Sequence, residues 1–185
     1  MIQDIHDDAK HRMDQAVEHT RMELAKVRTG RANPELVENL TVDYYGTKTP
    51  MNQLSNISVP EPRLITLQPF DKTIMPDIEK AIMESNLGLT PNNNGEVILI
   101  PIPPLSEERR RDLTRVVHQL VEDGKVAIRN VRKDANHHIK MVQDEGHISE
   151  DDIKRAEQEI QNLTDDHVKR LDEMMEHKEK ELMEF

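Results

Sequence analysis

Pro101-Ile102-Pro103-Pro104-Leu105-Ser106 opens a stretch after which the chain carries no further proline. A helix cannot pass through prolines so placed, and the spacing beyond them predicts one long helix. Ser106 is suited to cap it, and Glu107 and Glu108 favour its positive end. Apolar residues then recur three or four apart, at Leu113, Val116, Val117, Leu120, Ala127, Ile128, Val131, Ala135 and Val142. Gly146 supplies the turn that ends the run. About 39 residues rising 1.5 Å each make a rod of roughly 58 Å.

Steps of 100° around this rod gather the apolar residues on one side. Roughly opposite lie Arg111, Arg115, His118, Lys125, Arg129, Arg132, Lys133 and Lys140, interrupted by Glu122 and Asn136. Asp112, Asp123 and Asp134 fall on the flank. The bland interpretation is a solvated charged face. One sign of charge over several turns, in a chain of net charge −11, points instead to a docking face for a polyanion.

Working outward, two more segments carry the same period. Ile2, Ile5, Ala9, Met13, Ala16, Val17, Leu24 and Val27 predict a first helix from Ile2 to Thr29. Ser149, as N-cap with Asp152 at the capping-box position, starts a third, continued by Ile153, Ala156, Ile160, Leu163, Val168, Leu171, Met174, Met175 and Leu182. The short connection between the second and third helices makes them antiparallel neighbours. Three helices, each apolar along one stripe, bury those stripes against one another.

Between the first and second helices the composition changes. All 10 prolines lie from Pro34 to Pro104, with Tyr44, Tyr45 and Phe70 among them. Leu36–Tyr45, Ile57–Val59, Leu64–Leu67 and Val97–Ile100 read as strands, with turns at Gly46–Pro50 and Asn92–Gly95. A short helix capped by Asp71 is expected to about Asn86. The expected fold is α+β: a long three-helix bundle (1–30 and 105–185) with a small, β-rich α/β domain (31–104) inserted after its first helix. The connections Thr29-Gly30-Arg31 and Pro103-Pro104-Leu105-Ser106 read as a hinge in an L-shaped molecule.

The chemistry of catalysis finds few candidates. With no cysteine there is neither thiolate nor disulfide. No Gly-x-x-x-x-Gly-Lys-Ser/Thr loop is present. His137 and His138 are adjacent on a helix and diverge by about 100°, which is poor metal-ligand spacing. Asp71 reads as a cap, not a general base. No apolar run reaches the ~20 residues of a membrane span, and Met1-Ile2-Gln3-Asp4 does not begin a signal peptide. A cytoplasmic, monomeric, non-catalytic binding protein without cofactor or metal is expected. Arg109-Arg110-Arg111, with Arg28 and Arg31, and Arg129 with Arg132 are suited to fork onto phosphates. These clusters stand roughly 30 Å apart. Such spacing, without stacking aromatics, fits a large structured RNA. The rival reading is a helical adaptor or coiled-coil protein.

Several stretches, taken in order, closely resemble the ribosome recycling factor family over nearly the whole chain. They are Arg28-Thr29-Gly30-Arg31-Ala32, Val42-Asp43-Tyr44-Tyr45-Gly46, Pro69-Phe70-Asp71 and Leu87-Gly88-Leu89, then Ile100-Pro101-Ile102-Pro103-Pro104-Leu105-Ser106-Glu107-Glu108-Arg109-Arg110, Val131-Arg132-Lys133-Asp134-Ala135 and Ile148-Ser149-Glu150-Asp151-Asp152. The resemblance implies a bundle shaped, with its inserted domain, like a transfer RNA. It implies binding between the subunits of a post-termination ribosome, against large-subunit ribosomal RNA. Elongation factor G with GTP then drives subunit splitting and release of messenger RNA and transfer RNA. By position, Arg110, Arg129 and Arg132 match RNA-facing arginines of the family, Lys133 extends that stripe, and Arg28 and Arg31 match its junction motif. Tyr44, Tyr45 and Phe70 are expected in the core of the inserted domain. Leu99 departs from the family, which often has a basic residue there.

Overall fold

The computed structural model describes residues 1–146 and 148–184; the expected end of the bundle at 185 lies outside them. The chain divides into two compact units, one of Met1–Thr29 with Glu107–Glu184, the other Gly30–Ser106.

The first unit is three helices: α1 (Ile2–Ala25), α5 (Glu107–Asp144) and α6 (Glu150–Met183). Each packs on both others. Their buried stripes include Ala9, Met13 and Leu24 of α1, Val117, Ile128 and Ile139 of α5, and Ile160 and Leu171 of α6. The 38 residues of α5 span about 57 Å. Ser149 caps α6 as its spacing foretells: the Asp152 N–H donates to Ser149 Oγ at 3.2 Å, and that hydroxyl donates to Asp152 Oδ2 at 2.8 Å. Gly146 follows α5 at φ 75°, a left-handed turn that favours glycine.

Two bundle expectations need correction. The first helix stops at Ala25, four residues short of Thr29, because Lys26 and Val27 bond back only to Glu23 and Leu24 in tight turns. Val116, counted with the apolar stripe, is 44% exposed; the stripe narrows instead to positions including Val121, Gly124 and Ile139.

The second unit holds, in order, α2 (Glu35–Glu38), β1 (Thr41–Tyr44), β2 (Thr47–Pro50), α3 (Met51–Leu54), β3 (Ser55–Glu61), β4 (Leu64–Pro69), α4 (Met75–Glu84), β5 (Asn92–Asn93) and β6 (Ile98–Pro101). β1 and β2 form an antiparallel hairpin, and a second antiparallel sheet runs β3-β4-β6-β5. Ile65, Leu67, Ile98 and Ile100 of this sheet bury against Ile78 and Ile82 of α4. The Asp71 carboxylate accepts from Thr73 N–H at 2.9 Å and Thr73 Oγ1 at 2.6 Å, capping the 3₁₀ turn Lys72–Ile74 that leads into α4. Thr73, through its hydroxyl and then its amide, holds this carboxyl below the usual range.

Here the sequence reading errs more. Residues 36–38 are helical, since Pro34 starts a helical turn that the Glu38 N–H closes on its carbonyl. Thr47–Pro50, read as a turn, is a strand. The turn is only Tyr45-Gly46, at φ 49° and 83°, the left-handed pair that suits a two-residue hairpin. Asn92 and Asn93, also read as turn, pair with Leu99 and Ile98. Tyr45 and Phe70 are not core residues: they are 80% and 65% exposed, and only Tyr44 leans on the core. Tyr45 sits at a hairpin tip, which projects its side chain outward, and Phe70 lies between the end of β4 and the Asp71 cap.

Candidate nucleic-acid interface

The cationic face of α5 follows from its buried face. Leu113, Val117, Val121, Gly124, Ile128, Val131, Ala135, Ile139 and Val142 fix which side of α5 meets α1 and α6. What remains outward is the arc bearing Arg111, Arg115, Arg129, Lys133 and Lys140, all exposed. Arg129, Arg132 and Lys133 stand at i, i+3 and i+4, so one turn brings three cations together. Arg129 Nη1 lies 3.2 Å from Glu122 Oε1 and stays 45% exposed. Among the described residues, Arg132, Lys133 and Lys140 make no ion pair.

The arc is less uniform than its sequence. Arg111 pairs with Glu107 at 3.0 Å and Arg115 with Asp112 at 3.6 Å, both across exposed turns of α5. Such pairs are worth little and open readily to a competing anion. Lys125 and His118 differ. Lys125 Nζ is 2.6 Å from Asp172 Oδ1, and His118 Nε2 meets Glu179 Oε1, both carboxylates on α6. These acids went unnoticed in the sequence. The signal was a shared spacing: Lys125 and His118 are seven residues apart on α5 and Asp172 and Glu179 seven apart on α6, as one antiparallel register requires.

Arg110 is half-buried at the first turns of α5, and its Nε is buried without a hydrogen-bond partner in the structure. Arg109 is exposed beside it. Arg28 is exposed on the turn after α1. Arg31, also exposed, belongs to the second unit; the other five expected cations belong to the bundle, where Arg110 stands 19 residues from Arg129 along α5. His137 and His138 are exposed with ring centroids 6.0 Å apart, and among the described residues no three His, Asp or Glu are grouped to hold a metal ion.

A family model described as ribosome recycling factor matches residues 20–183. The chain belongs to the ribosome recycling factor family. The ribosome-recycling factor of Halalkalibacterium halodurans is 53% identical over 184 residues, covering 100% of both chains. A counterpart from a Geobacillus species is also 53% identical over 184 residues, again with 100% of each covered. Among solved structures, a solution structure of the ribosome recycling factor superposes with a TM-score of 0.76 at 44% identity, covering 100% of this chain and 98% of the other. Another similar chain comes from models for the T. thermophilus ribosome recycling factor and the E. coli elongation factor G bound to the E. coli post-termination complex. It has a TM-score of 0.65 and 44% identity, with 99% of each chain covered.

The ribosome recycling factor stretches fall at structurally demanding points. Val42–Gly46 holds the hairpin turn, Pro69–Asp71 the cap before α4, and Val131–Ala135 overlaps the triple-cation turn of α5. Leu99, where the resemblance leads one to expect a basic residue, lies half-buried on β6, between Thr66 of β4 and Asn92 of β5. It alternates with the buried Ile98 and Ile100, so its side chain lies on the sheet face opposite theirs.

Proposed function

We propose that this chain recycles ribosomes after termination. It docks against large-subunit ribosomal RNA through α5, and elongation factor G with GTP then drives it to split the subunits and release messenger RNA and transfer RNA. The observation that carries this reading is 53% identity to ribosome-recycling factors over 184 residues, with both chains fully covered. The anchor is charge-assisted contact from Arg129, Arg132 and Lys133, extended toward the start of α5 by Arg110 and, after α1, by Arg28. Arg31, on the second unit, is a separate phosphate contact. Guanidinium groups fork onto phosphate oxygens, and the contacts weaken as salt replaces the released counterions.

The work done is mechanical. Thr29, Gly30, Arg31 and Pro103, Pro104, Leu105, Ser106 are the joint that yields when the GTPase pushes. Gly30 has φ 76°, a backbone state that favours glycine, so a side chain there would strain the joint. The chain performs no covalent step and works as a monomer in the cytoplasm; GTP hydrolysis belongs to elongation factor G.

Co-sedimentation with ribosomes across a salt series tests the anchor. The parent binds and loses affinity with salt, and Arg132→Glu weakens binding at unchanged helical content. Light scattering with elongation factor G and GTP then reports subunit splitting by the parent. A parent that ignores ribosomes, or an Arg132→Glu variant that binds equally well, overturns the anchoring mechanism.

A further inference from the structure

We propose that Asp172 and Glu179 of α6 act as internal substitutes for phosphate, holding Lys125 and His118 out of the RNA contact and so setting one border of the docking face. This rests on the reading of α5 as the RNA-facing helix. Lys125 stands four residues before Arg129 and seven before Arg132, so by sequence it belongs to the same stripe. The structure withdraws it. Its side chain is only 18% exposed and its ammonium is 2.6 Å from Asp172 Oδ1, whereas Arg129 is 45% exposed. His118, one register step away, also meets a carboxylate of α6, Glu179, while its ring stays 55% exposed.

The two pairs differ in kind from those on the outward arc. The partners of Arg111, Arg115 and Arg129 lie on α5 itself, at the same exposed surface, and move aside with little cost. Asp172 and Glu179 stand instead on the facing helix, placed by the α5–α6 register, so an arriving phosphate must compete with carboxylates already beside Lys125 and His118. α6 as a whole repels a polyanion, with 12 acids against 6 bases over its length. The boundary between α5 and α6 is thus a wall. RNA that engages Arg129, Lys133 and Lys140 is kept to the side of α5 away from α6, and Arg132, half-buried and about two turns beyond Lys125, stands at the border itself. The carboxylates contribute to selectivity by narrowing the orientations in which the chain binds, not by adding affinity.

The consequence is opposite to that of ordinary charge loss at an interface pair, because removing a partner of Lys125 strengthens binding. Asp172→Asn and Glu179→Gln, measured separately so that a folding defect in one leaves the other, are compared with the parent and Arg132→Glu by ribosome co-sedimentation over a salt series. Circular dichroism checks helical content. Asp172→Asn is expected to bind roughly two- to fivefold tighter at low salt, the strength of one released ion pair. Its log–log salt slope steepens by about 0.7 to 0.9, one further phosphate contact. Glu179→Gln shifts in the same direction, and adding Lys125→Ala to Asp172→Asn erases the gain. Folded variants that bind no tighter, with the parent's slope, overturn the proposal while Arg132→Glu still weakens binding. A parent that ignores ribosomes fails differently, and takes the anchoring reading and the wall down together.

Discussion

His167 of α6 is only 1% exposed, yet both its ring nitrogens face oxygens. Nδ1 is 2.7 Å from the Leu163 carbonyl and Nε2 is 2.6 Å from Asp14 Oδ1 of α1, with Arg170 Nη1 3.4 Å from the same oxygen. The hydrogen bond from His167 holds the Asp14 carboxyl below its ordinary 3.8; partial burial opposes this, and the charges of His167, Arg170 and Lys10 assist it. Asp14→Ala leaves a buried ring nitrogen without its acceptor. A loss of about 1–3 kcal/mol follows, despite the better helix propensity of alanine. Because the folded value is depressed, the ionised carboxylate stabilises the fold fully above the ordinary value, and that contribution is lost as pH falls through the folded one. Urea unfolding from pH 7 to pH 2 should therefore show the gap between parent and Asp14→Ala widest near neutrality and closing in acid. A gap absent at pH 7, or constant throughout, would exclude this account. None of this was legible in the sequence, where His167 was one of nine histidines and its partner lay 153 residues away.

At the scale of elements, the helices were legible and the short strands were not, for a physical reason. A helix of 38 or 34 residues repeats its period many times, and a single misread position such as Val116 does not move it. A strand of four residues such as Thr47–Pro50 offers two alternations, and its polar residues look like loop. The cationic turn of α5 was legible because neighbours three and four apart need no tertiary knowledge. Its α6 border was not, because the register between helices depends on packing. Gly124 shows what that packing asks. It lies inside α5, and a Cβ there would fall within contact distance of Thr20 Oγ1 on α1 and 3.1 Å from Leu171 Cδ1 on α6. Thr20 is itself buried and its hydroxyl donates to the Ala16 carbonyl. Gly124→Ala is expected to destabilise the bundle by about 1–3 kcal/mol through overpacking, overcoming the roughly 1 kcal/mol that alanine gains in helix propensity. Thr20→Ala in that background should return part of the loss, so the two changes couple in a double-mutant cycle. If Gly124→Ala is as stable as the parent, the helices do not approach this closely.

For the whole molecule the question is how a chain of net charge −11 docks on a polyanion at all. Beyond about a Debye length, roughly 8 Å at physiological salt, its exposed charges are largely screened. Within that distance the local arrangement decides, and there Arg129, Arg132 and Lys133 oppose the acidic surface of α6. Net charge and local face therefore predict different outcomes for two substitutions that change the total equally. Arg132→Glu alters the cationic turn. Arg155→Glu alters the first turns of α6, where Arg155 is 73% exposed and 3.6 Å from Asp152, outside the α5 face. If the face governs docking, Arg132→Glu lowers ribosome affinity at least tenfold and flattens the salt slope by about one contact, while Arg155→Glu changes affinity less than twofold. Equal losses for both would mean that the overall field, and not the turn at Arg132, sets the interaction. That result would also remove the reason for a border at Asp172, since a molecule read only by its total charge has no face for α6 to confine.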